Sequence, residues 1–192
     1  MEHRTTDELN AALPQIEAAP ADAGTLELIV RRPAIDEREV LDVAELDLVD
    51  GLVGDTWKNR GSTRTEDGSS HPDMQLNVMS SRVVDLIAGS RERWPLAGDQ
   101  LYVDLDISDA NLPAGTRLHL GQAVIEVTDQ PHNGCAKFTR RFGLDAHRWV
   151  NSPEGKKLHL RGINAKVVVP GTIRAGDAIT VERRESGSGA EG

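Results

Sequence analysis

Three times in this chain an Ala-Gly pair introduces a run of alternating apolar and polar residues. The runs are Ala97-Gly98-Asp99-Gln100-Leu101-Tyr102-Val103, Ala114-Gly115-Thr116-Arg117-Leu118-His119-Leu120 and Ala175-Gly176-Asp177-Ala178-Ile179-Thr180-Val181. A glycine turn followed by period-two alternation is the pattern of a strand entered from a hairpin turn. The irregular spacing makes these repeated strand entries rather than a solenoid period. Asp99 and Asp177 read as residues that satisfy turn backbone, not as catalytic groups. Further strands are expected at residues 25–30, 39–48, 74–79, 123–128, 158–163 and 166–169, with a last hairpin within 172–184. Helical signals are few. A short helix capped by Ser80 or Ser81 runs to Ala88, and Phe138, Phe142, Ala146 and Trp149 recur at helical spacing further on. Gly143 interrupts that second pattern. Many short strands and few helices predict a mainly β fold, a closed or partly closed β-barrel with small helices at its rim.

The 192-residue length suits one domain with a core of its own. Residues 1–24 are Ala-, Pro- and acid-rich and read as a flexible N-terminal arm, with Pro14 and Pro20 limiting any helix there. Residues 25–184 form the barrel domain, and 185–192 a disordered Gly- and Ser-rich tail. A single cysteine rules out an intramolecular disulfide and a multi-cysteine zinc site, and it fits a reducing compartment. No secretory signal or membrane span is evident, so a soluble cytoplasmic protein is expected.

The net charge of −9 argues against general nucleic-acid binding. That charge is uneven. Residues 136–166 carry eight basic residues against two acids, a local +6 that leaves the rest of the chain at −15. Such an island reads either as an anion site, for instance for a phosphate-bearing small molecule, or as a solvated helix face. It begins directly after Cys135, the only cysteine, within the stretch Gln130-Pro131-His132-Asn133-Gly134-Cys135-Ala136-Lys137-Phe138. A thiol between a strand end and a helix start lies where the helix dipole favours a thiolate. The alternative is a small buried hydrophobe. The polar excursion over residues 57–73, carrying Arg60, Arg64 and His71, is long enough to be functional or mobile.

Several of these pieces, in this order, resemble the MOSC domain, the module named for the C-terminal part of molybdenum-cofactor sulfurases. They are Gly51-Leu52-Val53-Gly54-Asp55; Leu118 to Gly121 followed by Ile125-Glu126-Val127-Thr128; Gly134-Cys135-Ala136-Lys137-Phe138; Leu160-Arg161-Gly162-Ile163-Asn164-Ala165; and Gly171-Thr172-Ile173-Arg174-Ala175-Gly176-Asp177. The resemblance runs from about Thr25 to Arg184. It implies a barrel, the molybdenum cofactor (molybdopterin) as the bound group, and Cys135 as catalytic residue and metal ligand. Asn133, Lys137, Arg140, Arg141 and Arg161 are then the cofactor-binding candidates, since guanidinium groups pair phosphate bidentately and a thiolate suits molybdenum or persulfide sulfur. Many relatives carry His-Gly-Gly after the Gly-Asp turn, where this chain has Ser70-His71-Pro72-Asp73; a cofactor role for His71 therefore does not carry over.

The resemblance further implies reduction of N-hydroxylated compounds, including base analogues, with a small-molecule substrate. Without a nicotinamide or flavin fingerprint in the sequence, a separate electron-transfer reductase is the expected partner. The competing readings are a sulfur or cofactor carrier served by a cysteine desulfurase, a catalytically silent ligand-binding barrel, and a zinc site on His71, His132 and Cys135. For Arg161 the competing role is a structural salt bridge. For His71 and His132 it is hydrogen bonding within their loops.

Overall fold

The computed structural model describes residues 3–183. In chain order the elements are α1 (Thr6–Ala11), α2 (Leu13–Glu17), β1 (Ala23–Arg31), β2 (Glu39–Leu41), β3 (Val43–Asp47), β4 (Gly51–Leu52), β5 (Leu76–Ser80) and α3 (Ser81–Ala88). There follow β6 (Leu101–Asp104), β7 (Arg117–Leu120), β8 (Ala123–Val127), α4 (Ala136–Asn151), α5 (Pro153–Lys157), β9 (Ile163–Val169), β10 (Gly171–Arg174) and β11 (Ala178–Glu182). Seven strands close a barrel in the order β11-β7-β8-β9-β5-β6-β1, and β1 pairs back onto β11. Every pairing around it is antiparallel except β5 with β6. β2 extends the sheet beyond β1, while β10, β3 and β4 form a separate three-stranded sheet. The mainly β barrel with short helices follows the sequence expectation.

Alternation along the strands builds two cores. Leu76 and Val78 of β5 and Leu101 and Val103 of β6 point into the barrel with Leu26, Leu118, Ile125 and Ile163. Met79, next after Val78, and Tyr102, between Leu101 and Val103, point outward. They meet α3, the turn at Arg91–Ala97 and α4, through Val84, Trp94, Phe138, Phe142 and Trp149. The aromatic stripe on α4 is therefore core packing. α4 is not one straight helix: Gly143 sits at φ 91°, ψ 167° and turns its two halves against each other.

Four expectations are corrected. Residues 39–48 split at Asp42 into β2, which joins the barrel sheet, and β3, which joins the smaller one. Leu158 to Gly162 is a turn, with His159 at φ 48° and Gly162 at φ 111°, both incompatible with a regular strand. Residues 172–184 hold no hairpin among the described residues, because β10 pairs with β3 and β11 with β7 and β1. Residues 6–17 are docked helices rather than a flexible arm. Thr5 and Glu8 form a reciprocal capping box, Leu9 is fully buried, and the Thr6 N–H donates to the Asp145 carboxylate on α4 at 3.0 Å. Pro14 falls in the first turn of α2, where proline is compatible with a helix. The 185–192 tail lies outside the described residues. No described helix is long and apolar enough to cross a membrane.

Candidate functional site

Cys135 is the N-cap residue of α4 and is exposed, which removes the buried-hydrophobe reading. Its loop is braced by the far half of its own helix. The Gly134 N–H donates to Asn151 Oδ1 at 3.0 Å, and the Gly134 carbonyl accepts from His147 Nε2 at 3.1 Å. A Cβ on Gly134 would sit 3.0 Å from Asn151 Nδ2, so the close approach favours glycine.

The thiol lies at a cavity of about 450 Å³ between α4, the segment after β1 and the turn before β6. Six cationic side chains line it: Arg32, Arg38, Arg60, Lys137, Arg141 and Arg161. Asp36 is the one lining carboxylate, salt-bridged to Lys137 at 3.0 Å and Arg141 at 3.4 Å. Two further acids stand behind the wall. Asp55 holds Arg32 through two bonds, 2.8 Å from Nε and 2.7 Å from Nη2, and Asp99 holds Arg161 at 2.7 Å. Set against these three acids, the six cations leave the site at +3. Arg38 and Arg60 carry two of these charges, and Lys137 and Arg141, which share Asp36, leave the third. Arg38 donates to the Pro95 and Glu37 carbonyls and Arg60 to Thr56 Oγ1, with no carboxylate of the described residues in ion-pair range. Burial, and then the charge of Arg141 beside Arg38 and of Arg32 beside Arg60, holds both guanidinium groups below their usual range. Such a site stores repulsion that an anion relieves.

Beneath the cavity lies a buried chain, Arg161–Asp99–His132. Asp99 is fully buried, Arg161 also donates to the Ala97 carbonyl at 3.0 Å, and His132 Nε2 lies 2.8 Å from Asp99 Oδ1. Burial alone would raise the Asp99 carboxyl; attraction to Arg161 and His132 outweighs it and keeps the group below the carboxylate range. Burial, then Arg161, pushes His132 down, and Asp99 only partly offsets this. An ionised Asp99 accepts the Nε2–H of a neutral His132, leaving Nδ1 as an acceptor. The Arg161 guanidinium stacks 5.0 Å over Phe138, and its Nε has no partner among the described residues. Asp99 is therefore not a turn residue, as the sequence suggested. Asp177 is one: its carboxylate accepts the Arg174 N–H.

Of the sequence-derived candidates, Asn133, Cys135, Lys137, Arg141 and Arg161 meet at this cavity, and Arg140 stays exposed outside it. His71 instead accepts the Asp73 N–H and caps the Pro72–Met74 turn. No three His, Cys, Asp or Glu side chains of the described residues could hold a metal together, which removes the zinc reading on His71, His132 and Cys135. The cations missed in the sequence are Arg32 and Arg38. They belong to no basic run, and only closure of the barrel brings them beside Arg161.

A family model described as the MOSC domain matches residues 65–180, more than half of the chain. The chain belongs to the MOSC domain family. Solved structures agree at the level of fold for this MOSC protein. The YuaD protein of Bacillus subtilis superposes with a TM-score of 0.60 at 16% identity, covering 85% of this chain and 97% of that one. YiiM from Escherichia coli gives 0.53 at 21% identity, over 83% and 70%. A structure titled only as a hypothetical protein gives 0.56 at 21%, over 85% and 69%. No curated protein matches. The family match begins at residue 65, so the part of the site built by Arg32, Arg38 and Arg60 lies outside it.

Proposed function

We propose that this MOSC protein binds the molybdenum cofactor in the cationic cavity and serves as an oxidoreductase for N-hydroxylated compounds. The observation that carries the reading is an exposed thiol opening onto a pocket with unbalanced guanidinium charge. The donor set fits the group: a soft sulfur ligand for molybdenum and two arginines without carboxylates for an anionic phosphate. The volume falls within the range of small-molecule sites, about 300–1,000 Å³. Cys135 would ligate the metal, with Arg38, Arg60, Lys137 and Arg141 on the phosphate side and Asn133 as an added donor. Bound there, the cofactor supplies a redox centre, with electrons delivered by a separate reductase.

The chain's own residues do the rest. The Gly134 brace holds the thiol in place, and Phe138 shields one face of Arg161 from water. Asp99 fixes His132 as an acceptor at the cavity wall.

Anaerobic purification followed by elemental analysis and intact mass tests this. Wild-type protein should carry near-stoichiometric molybdenum, and Cys135→Ser should lose it while remaining folded. Metal-free wild-type protein that still turns over N-hydroxylated compounds overturns the reading. The exposure of Cys135 also suits a sulfur carrier. In that case the mass shows reductant-releasable sulfur on Cys135 in place of molybdenum.

A further inference from the structure

One carboxylate already occupies the place an anion would take in the cationic cavity. Asp36 puts Oδ1 3.0 Å from Lys137 Nζ and 3.4 Å from Arg141 Nη2. It belongs to the strap of residues 33–37 between β1 and β2. Its charge also reaches Arg38 and Arg60 across the cavity. The hydrogen bond and charge of Lys137 hold its carboxyl below the usual carboxylate range.

The strap is tied at its ends and loose between them. The Arg32 N–H donates to Asp55 at 2.9 Å, and Arg38 Nε donates to the Pro95 carbonyl at 3.1 Å. Inside the strap, one turn bond runs from the Glu37 N–H to the Ala34 carbonyl at 3.2 Å. Among the described residues, its only hydrogen bonds to the far side of the cavity are the two accepted by Asp36. Packing does not pin it either, since Ile35 is 82% exposed. The Asp36 side chain is 59% exposed, and ion pairs in such a setting contribute little. Asp36 also sits at φ 62°, a left-handed conformation that Asp and Asn tolerate better than other side chains.

The cations do not need Asp36 to hold them in place. Arg141 Nη1 donates to the Leu96 carbonyl at 2.7 Å, Arg38 is held by the Pro95 and Glu37 carbonyls, and Lys137 stands on the first turn of α4. With Asp36 seated the site stands at +3, and it rises to +4 once that carboxylate swings away. A phosphate group carries more charge than a carboxylate and has three acceptor oxygens. It can pair Lys137 and Arg141 and still reach toward Arg38 and Arg60.

We propose that Asp36 is a displaceable internal anion: it closes the empty cavity by pairing Lys137 and Arg141, and a phosphate-bearing ligand takes over those cations and releases the strap. The seated strap lowers the apparent affinity for every anion by the fraction of time the cavity is closed. This rests on the cavity being the phosphate site of the proposed function, but not on molybdenum.

Inorganic phosphate titrated into wild-type and Asp36→Asn protein at about pH 8, with amide relaxation measured over residues 33–37, tests this. Asparagine keeps the shape and the tolerance of the left-handed backbone, so the variant removes charge alone. It should bind phosphate about threefold tighter or more, because two exposed ion pairs no longer compete. In the wild type, saturating phosphate should increase the fast motion of residues 33–37, the reverse of the ordering a ligand usually brings. Weaker or unchanged binding by Asp36→Asn makes Asp36 a pin for the cations and overturns the proposal. So does a wild-type strap that stays equally ordered at saturation, because Asp36 then only repels the anion. Both of those results leave phosphate in the cavity. Absence of saturable phosphate binding in both proteins instead removes the phosphate site itself, and the proposal with it.

Discussion

Asp99→Asn isolates the buried chain beneath the cavity. The substitution keeps the shape of the side chain and removes its charge, leaving Arg161 buried without its carboxylate. Arg161 is 6% exposed and its Nε already lacks a partner, so little else can compensate. Breaking one side of a buried ion pair costs about 3–5 kcal/mol, against a typical total of about 5–15 kcal/mol. For a chain of this size each kcal/mol shifts Tm by about 2–4 °C, which places the expected loss at about 6–20 °C. Urea unfolding followed by tryptophan fluorescence measures the free energy, and scanning calorimetry the Tm. Arg161→Met combined with Asp99→Leu removes both charges and should recover at least half of the loss, because an apolar pair needs no partner. A single Asp99→Asn variant that loses less than about 1 kcal/mol would refute the view that this pair is desolvated and coupled.

Other outcomes follow from the same geometry. Gly162→Ala places a Cβ 2.4 Å from the Val78 carbonyl oxygen at φ +111° and should cost at least about 2 kcal/mol, read by urea unfolding. Leu9→Ala should cost about 2–5 kcal/mol if the N-terminal helices are part of the core, and a loss near zero would restore the flexible-arm reading. Stability should fall on acidification in two stages. His132 is held below its ordinary 6.5, so below that pH the unfolded chain takes up a proton the native chain refuses; Asp99 is held below 3.8, and its contribution, full above that value, is lost as pH falls through its lowered native value. A urea midpoint that stays flat from neutral pH down to about 5 contradicts the first stage.

The barrel was legible because alternation and glycine turns are local signals, and each marks a strand whatever its neighbours do. What escaped was set by long-range pairing. Residues 172–184 look like a hairpin, yet β10 finds its partner in β3, far away in sequence. The turn at Leu158 to Gly162 reads as strand because its apolar residues alternate, and only the positive φ of His159 and Gly162 shows otherwise. The capping box at Thr5 and Glu8 is a local signal as well, masked by the two prolines that follow it. In the site, the cysteine and its basic helix stood out. Asp99 did not, because a buried carboxylate in a glycine turn has the same sequence signature as an exposed one. Its role came into view only when folding brought Arg161 and His132 to it.

The bent helix that follows the thiol has a further meaning. Gly134 and Asn151, seventeen positions apart, hold each other through the bend, so the perch for the sulfur closes within a short loop of chain. The rest of the barrel supplies charge and walls, but the angle at which sulfur is offered is a local property. A chain in which barrel strands are repacked or exchanged for those of a distant cousin should therefore still present its sulfur the same way.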